Sequence, residues 1–383
     1  MRGTVRPAMK FFASAAKGTE GVLRDELRAL RLPRVRADRG GVHFEGGLHD
    51  AMRACLHSRI AMRVLWELAT FTATDADDLY AGMRTVAWHE HLTASHTLAV
   101  RATCAHSALT HTQFIALRTK DAVVDALRDR TGVRPDVNTE DPDVAITVRV
   151  ARDVVTVYLD LSGEPLHRRG YRTEVTDATL KETLAAAVVA LSGWRRGAPF
   201  LDPLAGSGTL PIEAAMVACD IAPGARRAFG FERWPRFPGE LRDGWRGLLE
   251  AARAAEKTVL DAPIVASDHD PRAVAIARHN AERAGVAGVL TLREADARKL
   301  PEATGEGYVV SDPPYGDRLA TMPLQLAGFI RQFGEALRGL HGHEVSLLSG
   351  NELLGRNIGM RPSHEHTLFN GAIECRLYRY VIP

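Results

Sequence analysis

The chain has 383 residues, 45% hydrophobic and 25% charged, and its 49 basic and 47 acidic residues leave a net charge of only +2. That balance suits a globular protein of about two or three domains and excludes a disordered, collagenous or strongly polybasic chain. No apolar run approaches the ~20 residues of a membrane span, the N-terminus lacks a secretion signal's apolar stretch, and the four scattered cysteines form no C-x-x-C pair, so a reduced cytoplasmic protein is expected.

Met9 to Ala15 has the pattern of a strand, and Thr19 to Leu27 that of a helix with apolar positions about a turn apart. Arg39-Gly40-Gly41 turns into a short strand, Val42-His43-Phe44, and a second helix follows from Leu48 to about Arg59. This order suits a small α+β module. A second module starts near Val64. Thr97–Thr103 alternates as a strand, and Gln113–Asp129 is helical through Phe114, Leu117, Ala122 and Leu127. Val144–Val150 and Val154–Leu159 form a hairpin around Ala151-Arg152-Asp153, and Ser162 to Asp177 is a polar connector.

From Lys181 helices and strands alternate, the pattern of a doubly wound, mostly parallel sheet. Helices are expected over Lys181–Leu191, Leu210–Ala218, Arg272–Arg283 and Leu324–Leu337. Strands are expected at Ala198–Leu201, Ile264–Ala266, Val289–Leu292, Tyr308–Val310, Val345–Leu348 and Glu374–Tyr378.

Three of the strands end in residues suited to one ligand. Asp202-Pro203-Leu204-Ala205-Gly206-Ser207-Gly208-Thr209 joins a strand to a helix, where a parallel sheet places a ligand. Gly206 and Gly208 admit a close backbone approach. The octet is neither a Walker nor a dinucleotide fingerprint, and its acidic tip suits a cation better than a phosphate. S-adenosylmethionine carries a sulfonium and an amino group, and Asp202 would face that positive end. Asp268, at the next strand tip, suits both ribose hydroxyls, while Asp270 suits a cap on the helix from Pro271. Asp296 suits the adenine amine or, alternatively, a local cap.

Ser311-Asp312-Pro313-Pro314-Tyr315-Gly316 follows the strand at Tyr308–Val310. Two prolines fix two φ angles and remove two donors, leaving a stiff loop of acceptors. An exocyclic amine on a base is a poor nucleophile, because its lone pair is delocalised into the ring. Asp312 and the Pro313 carbonyl would accept its hydrogens and aim the lone pair at a methyl group. Tyr315 would stack on the extruded base. His89-Glu90-His91 and His364-Glu365-His366 lack the H-E-x-x-H spacing, and no metal is expected. Local arginine clusters, such as Arg168, Arg169 and Arg172, are either solvated faces or phosphate contacts.

On these motifs, and on Lys181-Glu182-Thr183 and Ile212-Glu213-Ala214-Ala215, the chain resembles the THUMP-containing, class I S-adenosylmethionine-dependent RNA guanine-N2 methyltransferases. The resemblance extends through Gly40–Phe44, Leu159–Gly163 and Leu166–Arg172. It implies a ferredoxin-like α+β module over 1–62, a THUMP domain over 63–165, a linker over 166–180 and a Rossmann-like α/β methyltransferase domain over 181–383. Lys181 and Thr183 then lie beside the methionine end of the cofactor. The implied partner is structured RNA, 23S ribosomal RNA first and transfer RNA second, with Arg168, Arg169 and Arg172 as contacts. Asp312 stands where that branch usually has Asn, which leaves adenine-N6 methylation as an alternative. An RNA-binding assembly factor with an idle cofactor pocket is the reading from another class. No second methyltransferase domain is expected beyond Pro383.

Overall fold

The computed structural model describes residues 8–172, 180–314 and 323–383. By their contacts they form two units, the first made of residues 8–14, 26–166 and 227–250, the second of 15–25, 167–172, 180–226, 251–314 and 323–383.

The first unit is built on one seven-stranded sheet. Its strands are β1 (Met9–Ser14), β2 (Arg36–Asp38), β3 (Gly41–Gly46), β4 (Arg63–Thr72), β5 (Leu98–Ala105), β6 (Val144–Ala151) and β7 (Val154–Asp160), in the order β2-β3-β1-β4-β7-β6-β5. The ten-residue β4 pairs with β1 along its first half and with β7 along most of its length. The ferredoxin-like and THUMP modules therefore share a sheet. The sequence puts no strand at β4, because a bulge between Glu67 and Ala69 breaks its period-two pattern. The β6–β7 hairpin turns on Arg152 and Asp153, at φ 52° and 62°. The Asp153 carboxylate secures that turn by accepting from Ser107 Oγ and the Ala108 amide at 2.7 and 2.8 Å.

Residues 227–250, which sequence reading places in the methyltransferase domain, belong by contact to this first unit. Arg227 donates to the carbonyls of Ser162, Glu164 and Pro165. Arg233 pairs with Asp141 at 2.7 Å, and Arg236 pairs with Glu90. Phe229 and Phe231 stack at 5.4 Å, with Trp245 edge-on to both. Aromatic pairs of this kind contribute roughly 0.5–1.5 kcal/mol each beyond area burial.

The second unit carries β8 (Phe200–Asp202), β9 (Ile264–Asp268), β10 (Leu290–Glu294), β11 (Ala303–Ser311), β12 (Leu340–Ser349), β13 (His364–Asn370) and β14 (Ile373–Val381). Their order is β10-β9-β8-β11-β12-β14-β13. The first five are parallel, whereas β14 runs antiparallel to both neighbours. This is the doubly wound α/β sheet expected from the sequence, extended by an antiparallel edge pair. Two apolar layers cover it. Leu184, Val188, Ile212 and Phe200 lie in one, while Val309, Ile330, Phe333 and Leu337 lie in the other. Consecutive residues Val309 and Val310 fall in opposite layers, as the strand period requires. The strand order reverses between β8 and β11, the switch point at whose carboxyl ends such sheets place their ligands.

Candidate functional site

β8, β9 and β11 are adjacent, and their tips carry Asp202, Asp268 and Ser311-Asp312. The loop after β8 is pinned to the neighbouring elements by its backbone. Ala205 N donates to Ser267 O and Gly206 N to Asp268 Oδ2, both at 2.9 Å, and Ser207 O accepts from Asn280 Nδ2 at 3.0 Å. Gly208 has φ +84°, and a Cβ there would lie 2.9 Å from Ala277 Cβ, so only glycine lets the loop meet the helix Pro271–Ala284 so closely. Pro203 and Ser207 are buried, Ala205 is half-buried, and Thr209 starts the helix Thr209–Ala218.

Asp202 is 1% exposed. Its Oδ1 accepts from Ser311 Oγ at 2.6 Å and from Leu204 N at 3.2 Å. Burial pushes its carboxyl up to about 7, the charge of Asp268 adds to that, and the two hydrogen bonds oppose it. An acid whose folded-state pKa is raised stabilises the fold below its ordinary value, and that contribution is lost as pH rises through about 7. A bound cation would reverse the penalty. This donor set therefore fits a positively charged ligand.

Asp268 Oδ1 accepts from the Asp270 amide at 3.0 Å, and Asp270 caps the helix from Pro271 through the Arg272 amide. Lys181 occupies the N-cap position of the helix Glu182–Leu191, and Thr183 is buried in its first turn. At the β11 tip Asp312 is half-buried, Pro313 buried and Pro314 exposed. Tyr315, with Gly316, lies outside the described residues.

Asp296 makes a local cap. It caps the turn 297–299 through the Arg298 amide, and Arg298 Nε and Nη2 grip its carboxylate at 2.7–3.1 Å. The guanidinium pulls that carboxyl down to about 2.

Two of the three expected RNA contacts have partners within their own unit. Arg169 is 3% exposed, with Nε 3.5 Å from Glu213 Oε1, and Tyr171 Oη donates to that same oxygen at 3.1 Å. Arg172 binds the Leu180 carbonyl at 2.9 Å and Glu182 Oε2 at 3.2 Å. Both guanidiniums are paired with buried glutamates of the same unit. Arg168 is exposed. Sequence reading also gave no role to Asn280, the buried amide that holds the glycine loop. Its signal was a polar residue inside a small-residue face of Ala273, Ala277, Ala281 and Ala284.

Residues 169–379 match the RMKL-like methyltransferase domain, residues 73–160 the THUMP domain and residues 10–65 the RlmL ferredoxin-like domain. The chain belongs to the RMKL-like methyltransferase family. That membership carries S-adenosylmethionine as the cofactor. A "Ribosomal RNA large subunit methyltransferase K/L" of Syntrophotalea carbinolica is 43% identical over 98% of this chain and 54% of its own length. The chain thus spans about half the length of the curated relatives it matches. Among solved structures, SMU.472, a putative methyltransferase complexed with SAH, is 29% identical with a TM-score of 0.89, covering 99% of both chains. A predicted N6-adenine-specific DNA methylase from Listeria monocytogenes is 30% identical with a TM-score of 0.88, covering 98% of this chain and 97% of its own. No helix among the described residues is long and apolar enough to cross a membrane.

Proposed function

We propose that the chain methylates the exocyclic N2 of a guanosine in 23S ribosomal RNA. The observation that carries this reading is the junction of two strand tips, where the cofactor-side Asp202 is bonded to the residue that precedes Asp312-Pro313-Pro314. The ribosomal RNA named in the Syntrophotalea relative supports the substrate class. When bound, S-adenosylmethionine supplies an electrophilic methyl carbon on a sulfonium. Asp202 would face the cofactor's positive end, and Asp268 would accept from its ribose hydroxyls. Asp312 and the Pro313 carbonyl accept the two hydrogens of the target amine. That localises the lone pair on nitrogen; as the N–C bond forms and the carbon–sulfur bond breaks, one amine proton leaves during or after transfer, so no strong base is needed beforehand.

The Listeria relative's name and the aspartate at 312 favour a second reading, transfer to adenine N6. Incubating the full chain with large-subunit RNA and labelled S-adenosylmethionine, then digesting to nucleosides for mass spectrometry, separates the two. N2-methylguanosine is expected. N6-methyladenosine would transfer the reading to adenine, and an unlabelled digest would overturn both.

With Arg169 and Arg172 committed internally, the RNA grip is better assigned to the first unit's sheet. Cross-strand register puts Arg36, His43, Phe12, Leu65, Tyr158, Thr147, Arg149 and Arg101 on one face. Carboxylates on that face are already engaged: Glu67 with Lys10, Asp38 with His43, Glu45 with Arg34, and Asp160 with Arg63. Arg36, Arg101 and Arg149 remain as cations for phosphates, across a sheet roughly 29 Å wide at ~4.8 Å per strand. Arg101→Ala with Arg149→Ala should weaken RNA binding and lower the slope of log affinity against log salt by about two. Affinity for S-adenosylmethionine should not change. Filter binding across a salt series checks this, and an unaltered slope refutes the assignment.

A further inference from the structure

Asp202 and Ser311 are both shut off from solvent, at 1% and 0% exposed. They stand on neighbouring parallel strands, 109 positions apart in sequence, and are joined by a single 2.6 Å hydrogen bond. A hydroxyl donating to a carboxylate at that distance is among the stronger hydrogen bonds a protein makes. Both donors to Asp202, the Ser311 hydroxyl and the Leu204 amide, address Oδ1, and among the described residues none addresses Oδ2. Oδ2 is the oxygen left for a cationic ligand. Ser311 is followed directly by Asp312 and two prolines, whose rings limit how far the intervening backbone can adjust. A shift at Ser311 therefore reaches Asp312.

We propose that Ser311 is a positioning residue whose hydroxyl ties the carboxylate facing the cofactor's positive end to the strand tip that presents Asp312 to the base. The inference rests on the methyltransferase reading above. It makes the two half-sites one mechanical piece, so that the side chain that anchors the cofactor also sets the acceptor for the target amine.

The groups that bear on Asp202 give the proposal its signature. Burial and Asp268 on β9 favour the protonated acid, while Ser311 on β11 and the Leu204 amide of its own loop favour the carboxylate. Without the hydroxyl, Asp202 keeps its proton to higher pH and holds a cation less well at neutrality.

The test is a double-mutant cycle on the full chain with Ser311→Ala, Asp202→Asn and the pair. S-adenosylmethionine affinity is measured by calorimetry from pH 6 to 9, and kcat at saturating cofactor. Ser311→Ala should weaken cofactor binding about tenfold or more at pH 7, the usual size of a lost hydrogen bond to a charged group. That deficit should shrink towards pH 9. The kcat should fall about tenfold even at pH 9, because Asp312 has lost its tether. Placed on Asp202→Asn, the same substitution should lose its pH dependence. Affinities and kcat within twofold of the parent across the range, or a deficit that is constant with pH and additive in the cycle, would overturn the proposal. A parent chain that binds no S-adenosylmethionine would instead sink the methyltransferase reading itself, before any variant is made.

Discussion

Asp312→Ala should lower the rate of methyl transfer at least ~100-fold, the lower range for removing a group that stabilises charge at the reacting centre. Asp312 sits at the end of β11, half-buried, on the segment stiffened by Pro313 and Pro314. Its proposed task is to accept a hydrogen from an amine whose lone pair is otherwise tied up in the ring. That interaction strengthens as the nitrogen becomes tetrahedral, so the loss should fall on kcat while cofactor affinity stays within about twofold. Asp312→Asn keeps an acceptor oxygen and should retain more activity than the alanine variant. Initial rates at saturating RNA, with calorimetry for the cofactor, measure both quantities. Near-parental turnover in the alanine variant would remove Asp312 from the chemistry.

The largest loss of stability is expected at Arg169, away from the strand tips. Its side chain and that of Glu213 are 2% and 0% exposed. Arg169→Ala strands a buried glutamate whose remaining partner at Oε1 is the Tyr171 hydroxyl. Breaking a buried pair from one side costs about 3–5 kcal/mol, which for a unit of this size is on the order of 10 °C in thermal melting. Arg168→Ala, one position earlier and exposed, should move the transition by less than ~0.5 kcal/mol. Differential scanning calorimetry of the two variants side by side is the check. If both melt with the parent, Arg169 and Glu213 do not form the buried pair described.

The contrast between those two arginines shows what a one-dimensional reading can reach. Arg168, Arg169 and Arg172 look alike in sequence, since a solvated guanidinium and a buried one carry the same letter. The partners that separate them, Glu213 and Glu182, become neighbours only after folding. The strand-tip motifs were legible for the opposite reason. Gly206, Gly208, Pro313 and Pro314 are local backbone instructions, and a strand that ends in such a residue announces its loop without any long-range information. Asp296 shows the intermediate case. A carboxylate after a strand serves a ligand or a cap equally well, and the cap that Asp296 makes depends on Arg298 two positions on. Residues 227–250 were opaque because their cues are aromatic side chains, Phe229, Phe231, Trp234 and Trp245, whose partners lie in distant parts of the chain or of the segment itself. The backbone cues of the strand tips were legible in the sequence, whereas the side chains that brace them were not.

That excursion of residues 227–250 means the polypeptide crosses between its two units repeatedly, at 14/15, 25/26, 166/167, 226/227 and 250/251. The protein is stitched rather than strung. A fragment beginning at His167 would inherit Trp234 without Trp66, whose ring lies 6.2 Å from it, and Arg233 without Asp141. A cut at either end of the returning thread would therefore sever contacts that the first unit makes within itself.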